Sequence, residues 1–322
     1  TAVIVSTTSD GHSRQALAMR NMLIARAAKD NGADRVVLVE PDLFFSAQDR
    51  GPQLEHGRTA FPRDDKDRKK FDGQPFSSSL YADLLKTAGV DMVVTVHNHS
   101  KSVQHLFSER FGGQFFNLLP TEIYADYIKT SDIVESEDLG ANLVLCAPDK
   151  GAAEFVGQMH QALGLPKAGL CIMTKERTGE RQVEIMVSPQ SPTPLEAIEG
   201  KDVIVFDDMV RTGSTIVKCC QSLRKGKPRR ILFCVSHFYS SEEGRENMAH
   251  PAIDEILTLN TLPTILNRDT QGRLRKKMVV LKIEQWIARF LRVQLGLDPA
   301  GEVVSYRVDM SSKNPRWTAL PL

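Results

Sequence analysis

Residues 201–215 read KDVIVFDDMVRTGST, and this stretch decides the fold of the chain. Its apolar run at 203–206 is short, continuous and rich in β-branched residues, as in a strand buried on both faces of a parallel sheet. Asp207 and Asp208 follow at the carboxyl end of this strand, and a helical pattern begins at residue 216. The stretch therefore predicts a strand-to-helix junction of an α/β fold, with its polar residues at the junction.

The turn at this junction is rich in hydroxyl groups and suits a phosphate monoester. The first N–H groups of a helix have no internal partner and carry the positive end of the helix dipole. The two carboxylates beside the turn cannot bind phosphate directly, but they can accept hydrogen bonds from vicinal hydroxyls or hold a divalent ion. A polar strand end with an N-capping role is the alternative, and the spacing of acids, turn and helix disfavours it. The candidate residues for a phosphorylated sugar are Asp207, Asp208, Arg211, Thr212, Gly213, Ser214 and Thr215.

Composition and charge exclude several classes of protein. The chain has 322 residues, of which 41% are hydrophobic and 25% charged, and its formal net charge is +1. Bulk charge therefore predicts no nucleic-acid binding and no membrane-surface binding. Neither a signal peptide nor a long apolar span is present in the sequence. The five cysteines show no Cys-x-x-Cys spacing and are interpreted as reduced core thiols, so we expect a cytoplasmic protein.

Strand patterns alternate with helical patterns in both halves of the chain. This alternation predicts two doubly wound α/β domains with mainly parallel sheets. The expected division is an N-terminal domain at 1–136, a second domain at 137–277 and a C-terminal tail at 296–322. A helix predicted at 278–295 is expected to join the N-terminal domain. Residues 41–74 form a long polar insertion, and a loop of that length is usually functional or mobile.

Three further polar segments follow predicted strands. His97 and His99 come after the strand at 91–96, at the end of the sheet where open α/β folds bind ligands. Asp149 opens a Pro-Asp-x-Gly turn after the next buried strand, although such turns are common without function. Lys175 and Arg177 lie in a charged segment that is otherwise interpreted as a solvated hairpin.

Together these segments resemble a known family. Residues 207–215 resemble the phosphoribosyl-pyrophosphate binding motif of type I phosphoribosyltransferases and ribose-phosphate pyrophosphokinases. Residues 95–99 (TVHNH) are similar to the Thr-Val-Asp-Leu-His segment of the pyrophosphokinases, and residues 147–152 (APDKGA) to their Ser-Pro-Asp-x-Gly-Gly segment. The TKER sequence at 174–177 looks like their mobile Lys-Arg-Arg loop, with Glu176 replacing the middle residue. The resemblance to ribose-phosphate pyrophosphokinases extends from residue 2 to about residue 259.

The resemblance implies a role for each segment. Asp207 and Asp208 would orient the ribose, and the turn that follows them would hold its 5-phosphate. His99 and Asp149 would contact Mg²⁺. Lys175 and Arg177 would be the catalytic cations that stabilise the pyrophosphoryl group in flight, because positioning and electrostatics supply most of such catalysis.

The ATP side of the resemblance has two possible alignments. The family has a Tyr-Ala-Arg-Gln-Asp-Arg motif with a nucleotide-contacting arginine. Residues 45–50 (FSAQDR) keep Arg50 but have alanine at that arginine's place, whereas residues 61–66 (FPRDDK) keep Arg63 there. We favour Arg63 with Asp65, keep Arg50 as the other candidate, and assign His99 to ATP as well as to Mg²⁺. The family's Phe-Ser-Asp-Gly-Glu adenine loop is not found, so either it precedes residue 1 or the adenine is bound in another way.

The implied activity is synthesis of phosphoribosyl pyrophosphate and AMP from ATP and ribose 5-phosphate. As in the family, a homo-oligomer, a dimer or a hexamer, is expected, with nucleotide sites near subunit contacts. One alternative is a pyrophosphokinase with a different ribose phosphate as acceptor, because Arg211 stands where many synthetases have aspartate. The other is a catalytically weak regulatory paralogue. A phosphoribosyltransferase is disfavoured because it would need neither the second α/β domain nor the His99 segment.

Overall fold

The chain contains two sheets with mainly parallel strands, one in each of two compact units. The computed structural model describes residues 1–8, 11–59, 62–134, 138–177, 183–298, 306–314 and 316. The first unit comprises Thr1–Leu119 with Thr261–Pro263, and the second comprises Pro120–Asn260 with the described residues from Thr264 onward. The division therefore falls earlier in the chain than the expected boundary at 136.

The first unit has a four-stranded sheet with the order β1-β2-β3-β4, and all of its strands are parallel. One core packs three of its helices, α1, α3 and α4, against a face of this sheet. The elements are β1 (Ala2–Val5), α1 (Arg14–Asp30), β2 (Val36–Val39), α2 (Asp65–Lys69), α3 (Ser77–Thr87), β3 (Met92–Val96), α4 (Lys101–Arg110) and β4 (Phe115–Leu118).

The second unit has an eight-stranded sheet with the order β12-β11-β10-β9-β8-β5-β6-β7. Its six central strands are parallel, and the edge strands β7 and β12 are antiparallel to their neighbours. The elements are α5 (Thr121–Thr130), β5 (Leu143–Ala147), α6 (Ala153–Leu163), β6 (Gly169–Arg177), β7 (Val183–Val187), β8 (Asp202–Val210), α7 (Ser214–Arg224), β9 (Arg230–Phe238), α8 (Glu242–Met248), β10 (Glu255–Leu259), α9 (Arg268–Gln271), β11 (Met278–Lys282), α10 (Glu284–Gln294) and β12 (Arg307–Met310).

The prediction of one helix over 278–295 is wrong in its first part. Residues 278–282 form β11, which pairs with β10 inside the second unit, and α10 begins only at Glu284. The fold class itself is confirmed, since both units are α/β with mainly parallel strands. All five cysteines are buried and free. No helix among the described residues is long and apolar enough to cross a membrane.

A carboxyl group is buried where β2 of the first unit ends. Glu40 is fully buried and accepts hydrogen bonds from Asn21 Nδ2 (3.1 Å), the Phe44 N–H (2.8 Å) and the Tyr81 hydroxyl (2.9 Å). Burial is the largest cause of a rise in the pKa of Glu40 to about 8, because it penalises the charged form more than these donors favour it. Glu40 is therefore protonated at neutral pH in the folded chain.

This carboxyl group makes stability fall as the pH rises. Below pH 4.5 Glu40 is protonated in both states, whereas between pH 4.5 and about 8 only the unfolded chain releases its proton. The expected loss in the free energy of unfolding over this window is at most about 5 kcal/mol, and a Glu40→Gln variant should flatten it. Chemical denaturation at several pH values between 4.5 and 8.5 checks this; parallel curves for the two proteins would contradict it.

Candidate functional site

The polar residues of the second unit gather where the central strands of its sheet end. β5 lies between β6 and β8 in the sheet. The chain adds β6 and β7 on one side of β5 and then crosses over to add β8 on the other side, so the strand order reverses at β5. Such a reversal of strand order opens a crevice beyond the carboxyl ends of the strands. Asp149 follows β5, Lys175 lies near the end of β6, and Asp207 and Asp208 lie in the last half of β8.

A glycine in a left-handed conformation forms the turn after β8. Gly213 has φ +78°, and a Cβ placed on it would lie 2.5 Å from Met248 Cε. Gly213 is also the N-cap residue of α7, whose bond from the Val217 N–H to the Gly213 carbonyl is 3.0 Å. Because glycine has no side chain, it cannot cap α7, so the first N–H groups of the helix can donate to another acceptor. This helix start has the form of an anion-binding turn.

Residues 211–215 are called the phosphate turn here. Side chains at the N-cap and within helix α8 donate hydrogen bonds to the carbonyl oxygens of this turn. Ser241 Oγ donates to the Arg211 carbonyl (3.0 Å), and Asn247 Nδ2 donates to the Thr212 carbonyl (2.8 Å). A Cβ on Gly244 would collide with the Arg211 carbonyl oxygen, so glycine is needed there too. The backbone of the turn is therefore held in place by α8 and its N-cap residue.

The two carboxylates of β8 form a strongly coupled pair. The Asp208 N–H donates to Asp207 Oδ1 at 2.9 Å. Burial raises the pKa of Asp207 well above its usual range, the adjacent charge of Asp208 raises it further, and Asp149 adds a smaller contribution in the same direction. Asp207 thus lies within electrostatic reach of both other carboxylates. A cation, or a ligand that donates hydrogen bonds, would relieve this repulsion.

Lys175 and Asp149 contact each other across the crevice. Lys175 Nζ lies 3.3 Å from Asp149 Oδ2, and both side chains are more than 40% exposed (44% and 42%). A pair this exposed contributes little to stability. Asp149 Oδ1 accepts from the N–H groups of Gly151 (3.0 Å) and Ala152 (3.3 Å), which orients the carboxylate at the start of α6.

Two predicted parts of this region lie outside the described residues. Arg177 is the last residue of β6, but its side chain is not among those described. The predicted flap at 178–182 is not described either. Arg211 is described: its side chain is exposed, and its guanidinium carbon lies 5.2 Å from the centre of the Tyr239 ring.

In the first unit, His99 lies in a loop that is tied down on both sides. His99 is exposed directly after β3, and His97 takes a left-handed conformation with φ +44°. The Asn98 N–H donates to Asn117 Oδ1 at 2.8 Å. Ser100 Oγ caps α4 by accepting from the Val103 N–H and donates to Asp49 (2.9 Å) in the insertion. The histidine is thus presented on a fixed loop.

Arg63 holds the insertion together. Its guanidinium donates to Asp67 Oδ2 (2.8 Å) and to the carbonyl oxygens of Gln53 (2.7 Å), His56 (2.6 Å) and Gly51 (2.8 Å). The Arg63 side chain is only 3% exposed. Its hydrogen bond to the Asp67 carboxylate is the largest cause that lowers the pKa of Asp67. The donors that an ATP contact would require are thus already used inside the loop. Arg63 has a structural role here, and ATP contact by it stays a prediction.

The other ATP candidates are more accessible. Arg50 Nη1 donates to Asp67 Oδ1 at 2.8 Å, and the Arg50 side chain is 26% exposed. Asp65 is on the surface in the first turn of α2, where it pairs with Arg68 at 3.1 Å. Arg50 also pairs with Asp49 at 3.4 Å, so both alignments with the family's nucleotide motif stay predictions.

A substitution separates the two possible roles of Arg63. Arg63→Lys keeps the charge but loses the forked geometry that reaches three carbonyl oxygens. We expect a lower melting temperature and faster proteolysis within residues 51–74, whereas Arg68→Lys, an exposed change in the same insertion, should leave both unchanged. Limited proteolysis followed by mass spectrometry measures this. An unchanged cleavage pattern with a raised KM for ATP would instead assign Arg63 to the nucleotide.

Sequence reasoning missed the residues that support the phosphate turn. Ser241, Gly244 and Asn247 of α8, and Tyr239 before it, were not singled out. The sequence does carry a signal for α8, because Ser241 is a favourable N-cap and acidic residues follow it. That signal predicts a helix start but not the turn against which the helix packs.

Comparison with known proteins agrees with this geometry. Residues 123–259 match the phosphoribosyl transferase domain family. A ribose-phosphate pyrophosphokinase of Corynebacterium efficiens is 28% identical over 271 residues, covering 84% of this chain and 71% of the relative. One from Mycobacterium leprae is 30% identical over 248 residues, covering 76% of this chain and 64% of the relative. The crystal structure of phosphoribosylpyrophosphate synthetase from Mycobacterium smegmatis superposes with a TM-score of 0.69 at 23% identity, over 92% of this chain and 82% of that one.

Residues 123–259 of the second unit are similar to the phosphoribosyl transferase domain, and they include residues 211–215 and the paired acids at the carboxyl edge of the sheet. The chain as a whole is a relative of the ribose-phosphate pyrophosphokinases.

Proposed function

We propose that the protein transfers the β,γ-pyrophosphoryl group of Mg-ATP to the 1-hydroxyl of ribose 5-phosphate. The ribose O1 forms a bond to the β-phosphorus, and the bond from that phosphorus to the oxygen bridging to the α-phosphate breaks. The products are phosphoribosyl pyrophosphate and AMP, and the hydroxyl proton is released. The names of the relatives support this reaction, as they are ribose-phosphate pyrophosphokinases from several bacteria.

One observation carries the proposal: a lysine, three carboxylates and a phosphate turn share one edge of the sheet in the second unit. In the proposed complex the 5-phosphate binds the N–H groups of the turn, and Asp207 and Asp208 accept hydrogen bonds from the ribose hydroxyls. Lys175, whose Nζ lies 3.3 Å from Asp149 Oδ2, donates to the transferring group. Arg177 is proposed for the same task from its sequence position alone.

The donor set of this edge fits a magnesium ion held mainly by substrate. Mg²⁺ prefers oxygen ligands and usually takes only one or two carboxylates, together with waters and phosphate oxygens. No group of three metal-binding side chains occurs among the described residues. Asp149 is the proposed protein ligand, and the bound ion would neutralise phosphate charge. His99, an imidazole, is a less suitable Mg²⁺ ligand and is proposed for ATP first.

The first unit is proposed to contribute the nucleotide side. Arg50, whose side chain is 26% exposed, is the preferred contact for ATP, with His99 on its fixed loop. Arg63 and Asp65 remain secondary candidates. As the resemblance to the family implies, we expect a homo-oligomer. Analytical ultracentrifugation would measure its mass.

A different ribose phosphate as acceptor is the second candidate function. The observation that favours it is Arg211, an exposed cation at the start of the phosphate turn that stacks on Tyr239 at 5.2 Å. An additional cation there would suit an acceptor that carries more negative charge than ribose 5-phosphate.

One assay tests both candidates. The full chain is incubated with magnesium, ATP and ribose 5-phosphate, and AMP and phosphoribosyl pyrophosphate are followed by chromatography. Formation of both products in equal amounts is the expected result. Production of AMP only with another ribose phosphate would select the second candidate. The absence of AMP with every acceptor would exclude both and leave a regulatory paralogue.

A further inference from the structure

Glu40, the buried carboxyl group at the end of β2, directly precedes the insertion that carries the ATP candidates. None of its three hydrogen-bond donors described above carries a charge. Burial is the main reason that it stays neutral, and the nearby charges of Asp42 and Arg14 act on it in opposite directions. Arg14 is itself paired with Asp42 at 2.5 Å. A carboxyl group in such surroundings is stable as the neutral acid.

The insertion begins with residues 44–50, called the entry segment here. The segment turns back on itself, and the Gln48 N–H donates to the Phe45 carbonyl at 2.9 Å. Phe45 has a left-handed conformation with φ +62°. In a bulky residue this conformation is strained, and it persists only where the surroundings hold it. The shape of the entry segment therefore depends on the contacts of Phe45 and its neighbours.

Glu40 and Tyr81 of α3 provide those contacts together. The Phe45 ring packs edge-on against the Tyr81 ring, with ring centres 5.1 Å apart. The Tyr81 hydroxyl donates to Glu40 at 2.9 Å. Glu40 also accepts from the N–H of Phe44, the residue next to the strained one, at 2.8 Å. The carboxyl group thus bonds both to the entry segment and to the ring that packs on it.

The far end of the entry segment is joined to the ATP candidates. The Asp49 side chain accepts from the Ser100 hydroxyl (2.9 Å), and its carbonyl accepts from the Ser102 hydroxyl (2.9 Å). These serines follow His99 directly, and Arg50 is the last residue of the segment. A displacement of the entry segment would therefore move Arg50 and remove a support of the His99 loop.

We propose that Glu40 is a positioning residue for nucleotide binding: as a neutral acid it holds the entry segment in the shape that presents Arg50 and the His99 loop, and its ionisation releases the segment. The proposal rests on the proposed function of the first unit. An ionised Glu40 would be buried beside Asp42, so the segment opens to let water reach it. Because the nucleotide binds the closed segment, binding above the Glu40 pKa of about 8 requires uptake of a proton.

The test measures binding of Mg-ATP to the full chain without ribose 5-phosphate. Calorimetry at about pH 7 and about pH 9, in buffers with different ionisation enthalpies, gives both the Kd and the protons taken up. We expect Kd to rise about tenfold between the two pH values, and binding at about pH 9 to take up nearly one proton per chain. Hydrogen exchange, corrected for its intrinsic pH dependence, should show less protection of residues 41–50 and 97–103 at the higher pH.

Two variants separate Glu40 from the other titrating groups. Glu40→Gln keeps a neutral hydrogen-bonding group, so the rise in Kd and the proton uptake should both disappear. Asp34→Asn, the same change at an exposed acid of the first unit, is the matched control and should show the pH dependence of the unmodified chain.

Two results would overturn the positioning role: equal Kd values at both pH values in the unmodified chain, or a pH dependence retained in Glu40→Gln. The first of these needs no variant, so it decides the question even where Glu40→Gln does not fold. A failure to bind Mg-ATP at about pH 7 is a different result, which would refute the proposed function of the first unit and the positioning role with it.

Discussion

Replacing Lys175 by alanine is expected to lower kcat for pyrophosphoryl transfer by about 10² to 10³, the range for loss of one preorganised donor to a transition-state charge. The KM for ribose 5-phosphate should change little, because Lys175 contacts Asp149 and lies outside the phosphate turn. The lysine and its partner are both largely exposed, so the folded state should lose almost no stability. Steady-state kinetics with each substrate varied in turn measures the separate effects on kcat and KM.

Lys167→Ala is the control for this substitution, since it removes an exposed lysine from the same unit. An unchanged kcat in Lys175→Ala would exclude this residue from catalysis. An increase in KM for ribose 5-phosphate at constant kcat would instead make Lys175 a binding residue.

Gly213→Ala is expected to weaken binding of ribose 5-phosphate at least tenfold. An alanine at φ +78° costs about 1–2 kcal/mol in backbone strain, and its Cβ would also meet Met248 Cε. The phosphate turn must shift to relieve both, which moves the N–H groups at the start of α7. A tenfold change corresponds to about 1.4 kcal/mol, so strain of this size is sufficient. Calorimetric titration of ribose 5-phosphate, without ATP, measures the change independently of catalysis.

Gly157→Ala is the matched control. Gly157 lies inside α6, and an added Cβ would meet no atom within 4 Å. It should stabilise the chain by about 0.5–1 kcal/mol and leave the affinity unchanged. Equal affinities in Gly213→Ala and in the unmodified chain would show that the turn is not the phosphate site.

Local sequence patterns sufficed for the buried strands and their following helices. The apolar run at 203–206 lies inside β8, and the helix predicted after it is α7. The same patterns failed at 278–282, because a short apolar run has no periodicity that separates a buried strand from a buried helix. The strands β7 and β12 were not predicted either, and both lie at edges of the sheet, where few apolar positions are needed.

The site was predictable residue by residue but not as an arrangement. Asp149, Lys175 and Asp207 each follow or end a predicted strand, so sequence could place them at one edge. That Lys175 reaches Asp149 depends on β6 lying next to β5, which is a matter of strand order. The alignment through Arg63 was attractive because a local motif does not reveal that its donors are used by three carbonyl oxygens nearby.

The contact between α8 and the phosphate turn has a consequence for changing the acceptor of this protein. Ser241 and Asn247 hold two carbonyl oxygens of the turn, and Gly244 admits one of them at close range. The phosphate turn and α8, which lie some thirty residues apart in the sequence, therefore form one structural unit that has to be exchanged as a whole. A turn taken from a relative should function here only when its own α8 is transferred with it, and selection experiments that vary residues 211–215 alone will sample mostly misplaced turns.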